Sequence, residues 1–419
     1  MLAFIDYTDF LVSARLINQQ ILSMEVLGSK TTQLSCNVCG LSDFCSRNKL
    51  FKHLKSCGTT PVGAPPLLAD GIQGDISNKF IYVTGGRCRG RTLGSVERYS
   101  LALKKWEGCP HMMENRGSHG AAAISDLLYV FGGGGFRSNL ATCEMFDTSQ
   151  QAWKTVAALK TFRHALVVFS MELSADFFLN QQKVISVSDI HHKHCVREGV
   201  FTAIFAIGGW YDGTVCSGDV EVYDHLTDSW FTCAPLEVPR RLLGASAFKN
   251  QIYVFGGNCD DGVWFTAAVE CYEFATNTWT RKKDLPSAGP TSSVTVGDFI
   301  YVILHGKRMQ RYCPLTDTYT DRAELPLKEW FCFDVTTFGH LVYVHGGVAQ
   351  GSPSKAFYSY DVISDKWEEL SPMLFPRRRC AAAIVTAHPS PLSVVTSDEC
   401  KIVDESVDTD GTKKQKTLP

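Results

Sequence analysis

Four side chains near the N-terminus have the types and spacing of a zinc site: Cys36, Cys39, His53 and Cys57, in the pattern C-x2-C-x13-H-x3-C. Thiolates and imidazole are the ligands a tetrahedral zinc ion prefers, and the x3 gap sets His53 and Cys57 on one face of a helix. Phe44 and Leu50 would supply a small core beside the metal. Cys45 offers a competing thiol, and the same residues also read as a fortuitous run of reduced cysteines. A second group, His191, His192, His194 and Cys195, falls within 170–199. No ligand pair at helix or hairpin spacing accompanies it, so a polar loop is expected there rather than a metal site.

The elements that position such groups are set by a repeat. An apolar, β-rich run ending in a double glycine recurs at Gly85-Gly86, Gly132-Gly133, Gly208-Gly209, Gly256-Gly257 and Gly346-Gly347. A sixth, degenerate copy ends at His305-Gly306. Each unit continues to a Tyr or Phe and then to Trp106, Trp153, Trp230, Trp279 or Trp367, with Tyr319 in that place in the fifth. A period of this length marks a repeat architecture in which one unit forms a four-stranded antiparallel sheet. Such a sheet cannot bury both apolar faces alone; six stacked radially about an axis can. The expected fold is all-β, a six-bladed propeller over 79–388.

These residues resemble the kelch family, whose repeat is marked by the double glycine, the spaced Tyr and Trp, and an Arg after the Trp. The resemblance implies that Arg379 to Ala387 supplies a strand to the first blade, closing the ring. The Cys36 to Cys57 segment is similar to a zinc finger with Cys in place of the final His, giving a small ββα module over 31–58 with one structural zinc ion. Residues 1–30 would hold a short helix, 59–78 a Pro/Gly-rich linker and 389–419 a disordered polar tail.

In kelch propellers that bind peptides, the loops after the double glycine and those after the Trp strand share one rim. Here those loops carry a formal charge of +9 within a chain of net charge -2. Arg87, Arg89, Arg91, Arg116, Arg137, Arg163, Arg240, Arg241, Arg308, Arg377, Arg378 and Arg379 could present forked donors to carboxylates or phosphates. Trp210, Tyr211, Trp264 and Trp330 would be aromatic anchors. The expected partner is a protein with an acidic or phosphorylated segment. The opposing reading is that several of these arginines pair with backbone carbonyls or with the repeat's own acids.

The near-neutral balance, 41 basic against 43 acidic residues, gives no global pull toward nucleic acid or membrane. No stretch has the apolar length of a membrane span. Scattered cysteines fit reduced thiols in the cytoplasm, with the nucleus also open. No nucleophile elbow, readable carboxylate pair or sialidase box is found, so an interaction scaffold or substrate-recognition adaptor is expected, not an enzyme. A loop-built propeller enzyme and a nucleic-acid-associated protein using the finger, with Lys413, Lys414 and Lys416, are the alternatives. Kelch relatives often recruit a cullin ubiquitin ligase through a BTB domain; the roughly 78 residues before the propeller are shorter than that domain with its helical linker.

Overall fold

Each repeat folds into one antiparallel sheet of four main strands, in which the second strand from the axis is the most buried and the outermost the least. Strands that read as unbroken apolar runs, such as Leu127–Phe131 and Gln251–Phe255, are buried on both faces because a neighbouring blade covers each side. Strands carrying the Trp, such as Ala152–Val156, alternate between half-buried and exposed at the periphery. The computed structural model describes residues 34–35, 42–44, 76–135, 139–174, 200–211, 215–259, 264–306 and 308–387.

Blade 1 consists of Ala381–Thr386, Lys79–Thr84, Val96–Ser100 and Lys105–Cys109, in that order from the axis. Blades 2 to 6 each take four strands in chain order, beginning at Gly120, Val167, Gly244, Thr291 and Phe331, with a short hairpin interposed in blade 4 and the two-residue strand Ser352–Pro353 in blade 6. The innermost strands touch one another in a closed cycle of six. Closure comes from the C-terminal strand pairing with Lys79–Thr84 in the register Ile81↔Ile384 and Val83↔Ala382. The fold is thus an all-β six-bladed propeller, with no helix among the described residues.

The spaced tryptophans seal the outer seams. Each indole N–H donates to a backbone carbonyl of the preceding blade: Trp106 to Ser371, Trp153 to Pro110, Trp230 to Ala157, Trp279 to Ala234 and Trp367 to Ala323, at 2.8–3.4 Å. In blade 5 the Tyr319 hydroxyl makes the corresponding bond to the Lys283 carbonyl at 2.8 Å. The substitution visible in the sequence therefore preserves one donor per seam.

The first 71 residues cluster as a separate unit from Ile72–Pro419. Within it, Leu34–Ser35 and Ser42–Phe44 pair antiparallel. The proposed zinc ligands Cys36, Cys39, His53 and Cys57 lie outside the described residues. So do the 1–30 segment, most of the 59–78 linker, the 389–419 tail and the histidines of the blade 3 insertion.

Tyr319→Phe removes one seam donor while keeping the ring. Urea unfolding should show a loss of about 0.5–1.5 kcal/mol through a lower midpoint at unchanged slope.

Candidate functional site

Four of the expected binding arginines are structural. Arg116, Arg163, Arg240 and Arg377 are fully buried. Each sits four residues before an innermost strand and reaches into the blade that strand begins. Their terminal nitrogens donate to the first glycine carbonyl of that blade, Gly132, Gly208, Gly256 or Gly85, and to the carbonyl preceding its third strand, at 2.7–3.1 Å. Each also pairs with a buried carboxylate at the second position of that strand: Glu144, Glu221, Glu270 or Glu97. Burial pushes the Glu97 and Glu221 carboxyls up, and the paired guanidinium opposes this. Arg163 Nε and Arg377 Nε lack a partner among the described residues, but they too are sealed inside the blades, so what removes these four arginines from surface binding is their burial against carboxylates.

Trp330, expected as an aromatic anchor, is likewise structural. It is wholly buried and occupies the arginine position of blade 6, where its indole donates to the Gly346 carbonyl at 2.7 Å. Tyr358 stands where the glutamate would be, and the rings meet edge to face at 5.6 Å. An aromatic pair thus replaces an ion pair across one seam. In blade 5 the residue whose carbonyl accepts the second glycine's amide is Gly289, which has no side chain to cross the seam, and the glutamate position is Gln310, which turns instead to Asp321.

The arginines free of this duty gather at the loop-side mouth of the axial channel. A belt of backbone hydrogen bonds runs around it across five of the six seams: Arg379 N–H donates to the Cys332 carbonyl, Ser118 to Arg379, Ala165 to Ser118, Leu242 to Ala165 and Thr291 to Leu242. Ser118, Ala165, Leu242, Cys332 and Arg379 are all left-handed, φ 53–55°. Such conformations cost ~1–2 kcal/mol each and persist because the belt fixes them. Arg379 projects from the belt itself. Arg378 and Arg87 exchange backbone hydrogen bonds beside it, and the Arg87 side chain lies across Gly117 and Gly134, where a Cβ would collide with it. Arg241 stacks on Trp210 at 3.5 Å and donates Nε to the Asn258 amide oxygen at 2.9 Å.

None of Arg87, Arg241, Arg378 and Arg379 makes a carboxylate ion pair among the described residues. Arg87 Nε, Arg379 Nε, Ser118 Oγ and His164 Nδ1 are buried with no hydrogen-bond partner among them. Burial, with repulsion from Arg379, Arg87 and Arg241, pulls His164 down to about 4. Arg87 is likewise lowered by burial and by Arg379 and Arg378. This is a cationic site with unused donors, electrostatically poised for an anion.

The remaining expected residues divide. Arg89 and Arg91 are exposed on a short hairpin beside Arg87. Arg308 is exposed and paired with Asp321. Tyr211 is tied by its hydroxyl to Asp219 at 2.5 Å, Trp264 is 69% exposed, and Arg137 lies outside the described residues. Sequence reasoning missed His164, Ser118 and Phe265; only Phe265, beside Trp264, carried a visible aromatic signal.

Below the mouth lies a channel cavity of about 490 Å³ lined by small residues of the inner strands, with Ser292, His305 and Asp334 among its polar groups. Ser292 and His305 are 2.9 Å apart, but His305 Nδ1 accepts the Cys332 N–H. Its proton therefore sits on Nε2 and points at the serine, the wrong tautomer for a base. Burial holds His305 down to about 3, so the ring is neutral. No cluster of three metal-ligating side chains occurs among the described residues.

Five stretches, 81–113, 115–160, 202–237, 239–286 and 330–374, match the Kelch motif. They fall on blades 1, 2, 3, 4 and 6; unmatched blade 5 is the one with Gly289, His305, Gln310 and Tyr319 at signature positions. The chain carries kelch repeats folded as a six-bladed propeller. Its homologues are kelch-like proteins. It is 25% identical over 242 residues to Kelch-like protein 36 of Rattus norvegicus, covering 50% of this chain and 39% of that protein. It is 26% identical over 235 residues to Kelch-like protein 38 of Homo sapiens, covering 50% and 40%. With Kelch-like protein 35 of Mus musculus the identity is 24% over 296 residues, 68% of this chain and 45% of that protein. The match thus spans less than half the length of these relatives.

Asp334, on the innermost strand of blade 6, accepts the Ala382 N–H of the closing strand at 2.8 Å. Burial pushes its carboxyl up from 3.8 to about 6, against the amides of Val335 and Ala382. The folded chain therefore binds this proton more tightly than the unfolded one, and the contribution is full below pH 4 and lost as pH rises through 6. Asp334→Asn keeps an acceptor without the charge. Its stability advantage over the native chain should be largest at pH 8 and shrink toward pH 4 in paired denaturation curves.

Proposed function

We propose that the propeller is a protein-interaction module that captures an acidic or phosphorylated segment at the cationic mouth, as the substrate-recognition part of an adaptor. The observation that carries the reading is the set of four arginines, Arg87, Arg241, Arg378 and Arg379, clustered at the axis without a carboxylate partner among the described residues. Holding like charges together is unfavourable, and an incoming anion relieves that repulsion while satisfying idle donors. The kelch-like homologues support a protein-binding role. A ubiquitin ligase that this adaptor would serve is part of the proposal, and rests on the resemblance alone. The idle donors suit phosphate as well as carboxylate, since both accept forked guanidinium bonds.

The test is capture on immobilised glutamate-rich and phosphoserine peptides. The Arg87→Glu/Arg379→Glu double variant should bind at least tenfold more weakly at unchanged thermal midpoint, and native binding should weaken with salt. Equal capture by the double variant would remove the mouth from the function.

A further inference from the structure

Beside the mouth, blades 3 and 4 form a row of four side chains. Arg241 and Asn258 exchange backbone hydrogen bonds at 2.8 and 3.0 Å as a directly opposed pair. Asn258 is opposed in turn by Phe265 across the short hairpin Asn258–Cys259/Trp264–Phe265. Directly opposed residues point to the same side of a pleated pair, so Arg241, Asn258 and Phe265 share one face. The Asn258 amide fastens the row, accepting from Arg241 Nε and donating to the Trp264 carbonyl at 3.1 Å. Trp210 backs the guanidinium of Arg241 from the other end. Phe265 is 51% exposed, an apolar ring next to a fixed cation.

We infer that Phe265 is a second, apolar subsite of the proposed anion site, and that the partner is a short extended peptide with a large apolar residue about three positions from its acidic or phosphorylated residue. The inference rests on the function proposed above. The spacing follows from the backbone: two interstrand steps of ~4.8 Å put Arg241 and Phe265 about 10 Å apart, and a peptide extended as polyproline II advances ~3.1 Å per residue with three residues per turn, which returns positions i and i+3 to the same side. Charge complementarity selects the occupant, since an anion must reach Arg241 and its cationic neighbours while the adjoining residue covers the ring. Trp264 lies on the other side of the hairpin with Cys259, and does not take part.

The probe is an oriented peptide library with a fixed central glutamate or phosphoserine and degenerate flanks, selected on the full chain. Leu, Ile, Phe, Trp or Met should be enriched three positions from the fixed acid on one side. Phe265→Ser should erase that enrichment and weaken the selected peptides about tenfold; Trp264→Ser should leave both unchanged. Acid-dependent binding with a flat positional profile, or enrichment that survives Phe265→Ser, would overturn the subsite while the anion site stands. Recovery of peptides regardless of the fixed acid, unaffected by Arg379→Glu, would remove the anion site and the subsite with it.

Discussion

The close approach at the double-glycine corner is the constraint from which the rest of the propeller follows. A Cβ on Gly85 would stand 2.4 Å from the Arg116 carbonyl oxygen, and one on Gly208 2.5 Å from that of Arg240. At these two corners a side chain would collide with that carbonyl, and both also have positive φ. Once admitted, the carbonyl accepts the second glycine's amide, as Gly86 N–H does with Arg116 at 2.7 Å. The arginine is thereby anchored to one blade by its backbone while its side chain reaches the corner of the next. The same geometry sets the left-handed residue two positions on, and those residues make the belt around the axis.

This divides the arginines by position rather than by proximity. Arg377, Arg378 and Arg379 are consecutive, yet the first is sealed against Glu97 while the other two remain at the mouth. Trp330 supports the same reading from the opposite chemistry: in the arginine's place it donates to the same kind of carbonyl. Five of the six blades fill the position with a buried donor that crosses the seam, and it need not be charged. Because the buried arginines are neutralised by the repeat's own glutamates, the unbalanced charge is left to the loops at the axis.

The sheet order, the blade count and the closing strand were legible in the sequence because they depend on signals that recur with each blade, the apolar run, the glycine pair and the spaced Trp. Tyr319 was legible too, as a shape-preserving replacement at a regular interval. The site was less so. Arg116 and Arg87 look alike in a loop, and only the register of the following strand shows that one is four residues from it and faces a glutamate. Trp330 looked like an exposed anchor because blade 6 has a longer inner strand, which moves the arginine position next to the strand's first residue. His164 and Ser118 carry no local signal at all, since their meaning comes from residues of other blades meeting at the axis.

The central claim, that position separates structural from binding arginines, is tested most directly by two neighbours side by side. Arg377→Met and Arg378→Glu would each be measured for urea stability and for retention on an immobilised phosphoserine peptide. Removing one partner of a buried pair strands the other, so Arg377→Met should lose about 3–5 kcal/mol. Its folded fraction should still bind, whereas Arg378→Glu should keep native stability and lose retention. A stable Arg377→Met that no longer binds, or an Arg378→Glu that unfolds, would contradict the account.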